Sequence, residues 1–107
     1  MNSYSFCEMA DKVFLEANEA LIAENYKDAI VKYESILSNG YESTELYYNL
    51  GNAYYRNKNI GKSIWAYSSA LEISPRNSDI VHNLSLANTR VVDRIEMPES
   101  FIFITIY

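Results

Sequence analysis

Two asparagines, Asn18 and Asn52, each stand inside a run whose apolar spacing predicts a helix. An amide is only a modest helix former, so two in matching surroundings imply a use. It can donate and accept at once, which suits either the backbone of an extended peptide or a neighbouring helix; both readings stand at this point. Catalysis is a poorer match. His82 is the sole histidine and Cys7 the sole cysteine, and no Ser or Cys near His82 carries a nucleophile motif. A Cys/His metal site is therefore nearly excluded, and no catalytic residue, metal ligand or cofactor is expected. Cys7 reads as a small apolar packing residue. Trp65 reads as a packing residue between repeats or on an outer face, and Glu16, Glu19 and Glu24 as a solvated face.

The elements that must position the asparagines are organised around Leu46-Tyr47-Tyr48-Asn49-Leu50-Gly51-Asn52-Ala53-Tyr54-Tyr55. Tyr47, Leu50, Gly51 and Tyr54 share one helical face. A glycine inside a helix costs about 1 kcal/mol against alanine, so Gly51 implies a second helix too close for a Cβ. Ser63, Tyr67, Ala70 and Pro75 follow. Shifting the chain until Ala17 falls on Gly51 also superposes Asn18 on Asn52, Asn25 on Asn59, Ile30 on Ile64, Tyr33 on Tyr67 and Leu37 on Leu71. A second shift by the same interval superposes Asn49 on Asn83, Leu50 on Leu84, Gly51 on Ser85 and Ala53 on Ala87. The spacing aromatic-x2-Leu-Gly-x2-Tyr, small-x3-aromatic, Pro resembles the tetratricopeptide repeat, with Tyr47 and Ser63 as mild departures from Trp and Ala. The expected fold is all-α. Helical hairpins span about residues 10–43 and 44–77, and the first helix of a third repeat caps them at 78–94. This gives a domain over residues 5–94 and an apolar tail over 95–107.

At 107 residues the chain reads as one domain. Tyr makes up ten of its aromatic residues, and Tyr can line a wet groove as readily as a core. A net charge of −5, without a basic stripe, argues against nucleic acid and favours a neutral or basic partner. The start of the chain, with Glu8, Asp11 and Lys12, does not read as a secretory signal. No apolar run is long enough for a membrane span.

In order, the spacing predicts helices over residues 5–24, 26–38, 44 to about 57, 60–73 and 78–94, with residues 1–4 frayed. Ser3 or Ser5 caps the first, Ser43 the third, and Asn77 or Ser78 the fifth. Gly40 suits the left-handed position after the second. Phe6, Met9, Val13, Leu15, Ala17, Ala20 and Leu21 supply the apolar faces of the first helix, and Ile64, Trp65, Tyr67, Ala70 and Leu71 are the packing residues of the fourth. Val81 and Leu84 join them in the fifth. The tail Phe101-Ile102-Phe103-Ile104-Thr105-Ile106-Tyr107 is β-prone and uncharged, an aggregation hazard if exposed. It folds back onto the last helix, pairs two copies into a homodimer, or begins a longer apolar segment; all three readings are open.

The tetratricopeptide resemblance implies a right-handed superhelix with the first helix of each hairpin on the concave side. Carried over residue by residue, the groove positions are Phe14, Asn18, Leu21 and Ile22, then Tyr48, Asn49, Asn52, Tyr55 and Arg56, then His82, Asn83, Leu86 and Arg90. The implied function is a non-enzymatic interaction module holding a peptide or partner protein in a Tyr/Asn-lined groove. The rival is a self-association domain whose groove or end is covered by its own tail. Some peptide-binding relatives clamp a C-terminal carboxylate with such asparagines flanked by Lys and Arg. The flanking positions here hold Asp11, Phe14, Glu45 and Asp79, so that clamp is not expected. Ser38-Asn39-Gly40-Tyr41-Glu42-Ser43, Asn83-Leu84 and Asp93-Arg94-Ile95-Glu96-x-Pro98 further resemble the tetratricopeptide proteins of the Bacteroides aerotolerance operon, the BatE-like group. That resemblance implies an envelope-associated, periplasmic domain, other aerotolerance-operon proteins as partners, and membrane contact only through segments absent from this chain.

Overall fold

Two of the helix starts are capped by side chains that the sequence supplies. In a computed structural model, the backbone is described over residues 3–94 and side chains over residues 8–91. Five helices follow one another: α1 (Ser3–Ile22), α2 (Tyr26–Ser38), α3 (Thr44–Arg56), α4 (Ile60–Ile73) and α5 (Ser78–Arg94). The Ser43 hydroxyl caps α3 by accepting from the Leu46 N–H at 3.0 Å. The Asn77 amide oxygen caps α5 by accepting from the Asp79 and Ile80 N–H groups. Both satisfy donors that a helix start leaves orphaned. The side chain of Cys7 and the tail at 95–107 lie outside the described residues.

Helix α1 begins two residues before the expected start and ends two before the expected end. Glu24 takes a left-handed φ of 65°, with Glu24 N–H bonding to the Leu21 carbonyl and Asn25 N–H to the Ala20 carbonyl. Lys58, the matching position of the next repeat, repeats the closure at φ 68°, with bonds to Tyr55 and Tyr54. Gly40 closes α2 in the same way at φ 92°. In this motif the last carbonyls of a helix find partners only if one residue turns left-handed. Glycine announces that at Gly40; nothing in a Glu or a Lys does.

Consecutive helices pack as antiparallel neighbours, α1 on α2, α2 on α3, α3 on α4 and α4 on α5, and α1 also reaches α3. The described residues thus form two tetratricopeptide-type helical hairpins and a capping helix. The core comes in two clusters. One joins Ala17 and Ala20 to Ala29, Ile30, Tyr33 and Ile36, and these to Leu46, Leu50, Ala53 and Tyr54. The second joins Ile60, Tyr67 and Ala70 to Ile80 and Ala87. The close approach expected at Gly51 is present: a Cβ there would lie 2.6 Å from the Tyr67 ring.

Four residues of the expected apolar faces keep about half or more of their surface exposed: Met9 and Leu15 of α1, Trp65 of α4 and Val81 of α5. In α4 the buried places go instead to the small Ser63 and Ala66, because a tight hairpin selects for size. Trp65 keeps one contact, edge-on to Tyr47 at 5.8 Å. The face that buries Leu46, Leu50 and Ala53 in α3 carries exposed Lys12, Glu16 and Glu19 at the matching places in α1. This polar face lets α1 stand at the end of the stack, as terminal repeats require.

Candidate functional site

The asparagines are held by tyrosines of the second helices. The Tyr33 hydroxyl donates to the Asn18 amide oxygen at 2.5 Å, and the Asn49 amide N–H donates to the same oxygen at 3.0 Å. One repeat later the Tyr67 hydroxyl donates to the Asn52 amide oxygen at 2.6 Å, and the Asn83 N–H donates to it at 3.2 Å. Asn18, Tyr33 and Asn49 thus precede Asn52, Tyr67 and Asn83 by the same interval, one full repeat. Each set ties the first helix of a hairpin to its own second helix and to the first helix of the next repeat. The rings repeat as well: Phe14 tilts against Tyr33 at 6.0 Å and Tyr48 against Tyr67 at 6.1 Å. Because Tyr48 has the hydroxyl that Phe14 lacks, it also accepts from Asn83 at 3.1 Å.

For Asn18 and Asn52 the geometry supplies the helix-to-helix bond that one of the two readings requires. Both amide oxygens bond neighbouring helices. Among the described residues nothing accepts a hydrogen bond from either amide N–H2 group, so a donor remains at each position. Asn52 uses both lone pairs of its oxygen internally and keeps its donors for the cleft it lines.

That cleft has a volume of about 390 Å³ and is lined by Leu21, Tyr26, Asn52, Tyr55, Arg56, Tyr67, Asn83 and Leu86. It collects five of the expected site residues from α3 and α5: Asn52, Tyr55, Arg56, Asn83 and Leu86. Tyr48 adjoins it through Asn83, and the Arg90 guanidinium lies over the Tyr55 ring at 5.8 Å. Arg56 lies over the Tyr26 ring at 5.5 Å, with Glu24 a loose 3.7 Å away. Asn18 and Asn49 sit one repeat away, bonded to each other. His82 is exposed and makes no such contact, and Ile22 points almost wholly into solvent. Tyr26 and Tyr67 line the cleft although neither was among the expected site residues. The shared interval of the two Asn–Tyr–Asn sets was the signal that could have found Tyr67; Tyr26 carries none.

A second cleft of about 330 Å³ runs over Phe14 and Leu46 and carries Asp11, Glu42 and Glu45. Among the described residues no three His, Cys, Asp or Glu groups cluster as a metal site would need. No helix of the described residues is long and apolar enough to cross a membrane.

The buried tyrosines set an alkaline limit. Burial pushes the Tyr33 hydroxyl up to about 12, slightly opposed by the Asn49 amide. Burial also raises Tyr67, and burial together with the Glu34 carboxylate raises Tyr54. An unfolded tyrosine ionises near 10. The folded chain therefore keeps these groups protonated longer. Their contribution is complete below pH 10 and is lost as pH rises from about 10 through 12. A spectrophotometric titration at 295 nm with parallel circular dichroism should show helix loss beginning above pH 10, with the last tyrosines ionising together with it. Ionisation of all ten tyrosines near pH 10 in a still-helical chain would contradict the burial.

Compared with known families, residues 44–77 match the family model of the tetratricopeptide repeat. No curated protein matches the chain.

Proposed function

We propose, from a chain that carries a tetratricopeptide repeat at residues 44–77, that it is a non-enzymatic interaction module binding an extended peptide segment of a partner protein along α1, α3 and α5. Tetratricopeptide repeats are generally protein-interaction modules. The observation that carries the reading here is the cleft at Asn52 and Asn83. Its walls are tyrosine and leucine, its floor is amide, and the hydrogen bonds that fix the floor leave the Asn52 N–H donors over. Such a surface gives apolar area with low ordering cost from Tyr and backbone-directed donors from Asn. The sequence resemblance to aerotolerance-operon proteins supports an envelope complex as the setting, with other proteins of that operon as partners.

Selection of displayed random peptides on the purified chain tests the reading. Peptides so obtained should lose at least about tenfold in affinity against Leu86→Asp, since a carboxylate would enter an apolar wall. They should be unaffected by Val31→Asp, another exposed apolar position, on α2. Equal loss with both variants, or with neither, would remove the groove as the binding surface.

A further inference from the structure

The occupant's chemistry is written in how charge is distributed over the concave surface, and this step rests on the groove reading above. The chain as a whole carries −5, yet the larger cleft has no acidic residue in its lining and has Arg56 in its wall. Arg90, the matching position one repeat after Arg56, flanks it over Tyr55. Each guanidinium is laid on a tyrosine face, at 5.5 Å on Tyr26 and 5.8 Å on Tyr55. Cation–π attraction of this kind holds each charge near its ring without using an N–H donor. Among the described residues no oxygen accepts a hydrogen bond from either group. Among the described residues the carboxylate that reaches this pair is Glu24, 3.7 Å from Arg56, and both side chains are more than half exposed, so that contact is weak and displaceable. The neighbouring cleft carries Asp11, Glu42 and Glu45 and repels anions. Leu21 and Leu86 line the same cleft as Arg56 and provide its apolar wall.

We infer that the bound segment is an internal stretch of peptide presenting an Asp or Glu side chain to Arg56 and Arg90, with a large aliphatic residue beside it between Leu21 and Leu86. The carboxylate takes N–H donors that no oxygen of the described residues occupies. Asn52 donates to the adjoining backbone.

Acetylated, amidated hexapeptide mixtures test this by fluorescence anisotropy. A central Leu-Glu, Leu-Gln or Leu-Lys pair is held fixed and the other positions are randomised. A fourth mixture ends in Leu with a free C-terminal carboxylate. Leu-Glu should bind about five- to tenfold more tightly than Leu-Gln, as a charge-assisted bond does over a neutral one, and Leu-Lys most weakly. The double variant Arg56→Glu/Arg90→Glu, changed only at exposed positions, should invert the order of Leu-Glu and Leu-Lys. Equal binding of Leu-Glu and Leu-Gln would overturn the carboxylate while leaving the groove in place. Preference for the free C-terminus would assign the arginines to a chain end instead and overturn the internal side chain. Absence of binding by all four mixtures would overturn this inference and the groove reading together.

Discussion

Tyr67→Ala is expected to cost about 3–5 kcal/mol, against a total of about 5–15 kcal/mol for a small domain. Tyr67 is 1% exposed and sits where three elements meet. Its ring presses on the Gly51 backbone of α3, tilts against Tyr48, and its hydroxyl holds Asn52. Truncation leaves a cavity between α3 and α4 and removes the clamp on the floor of the larger cleft. Tyr67→Phe removes only the hydroxyl. The Asn52 oxygen still accepts from Asn83, so the cost should be about 1 kcal/mol. Tyr33→Phe should cost the same, because Asn18 likewise keeps Asn49. Urea denaturation followed by circular dichroism separates these outcomes. Equal losses for Tyr67→Phe and Tyr67→Ala would mean that the hydrogen bond, not the ring, holds the hairpin.

Gly51→Ala and Gly61→Ala should move stability in opposite directions. Both glycines lie in helices, where alanine gains up to about 1 kcal/mol from propensity. At Gly61 a Cβ meets nothing within 4 Å, so that gain should appear. At Gly51 it would stand 2.6 Å from Cδ1 and Cε1 of Tyr67. The ring is buried and tethered at its hydroxyl, so it cannot swing clear. Overpacking of this kind costs about 1–3 kcal/mol, and since the separation is far inside contact distance the net loss should be about 2 kcal/mol. Coupling adds a second check: in a Tyr67→Ala background the obstruction is gone, and Gly51→Ala should become neutral or stabilising. Destabilisation by Gly51→Ala that persists in that background would place the strain elsewhere.

The hairpins were legible in the sequence because size and polarity recur at one interval. Gly51 announced a close neighbour, and Tyr67 is that neighbour. The bounds of α2 and α4 fall at 26–38 and 60–73, where the spacing set them. The end of α1 was not legible, since Glu24 adopts a conformation its type does not favour. Trp65 packs on the outer face against Tyr47, one of the two places its reading allowed, while the hairpin seam takes the small Ser63 and Ala66, which hydrophobicity alone does not single out. The site was half legible. Asn52, Tyr55, Arg56, Asn83 and Leu86 do converge on one cleft. The amides at positions 18 and 52 could serve a peptide or a helix with equal chemistry, and only the Tyr33 and Tyr67 hydroxyls decide what their oxygens do. His82 shares the register of the groove residues but is exposed and does not line the cleft.

The central claim is that a peptide lies over α3 and α5 at the Asn52–Asn83 floor. Amide and side-chain NMR shifts of the labelled chain, titrated with the tightest selected peptide, test it most directly. The account predicts that the largest shifts fall on the side-chain amides of Asn52 and Asn83 and on Tyr55, Arg56 and Leu86, with the Trp65 indole on the outer face unmoved. Shifts centred on Trp65 and Val31, with Asn52 and Asn83 silent, would contradict it.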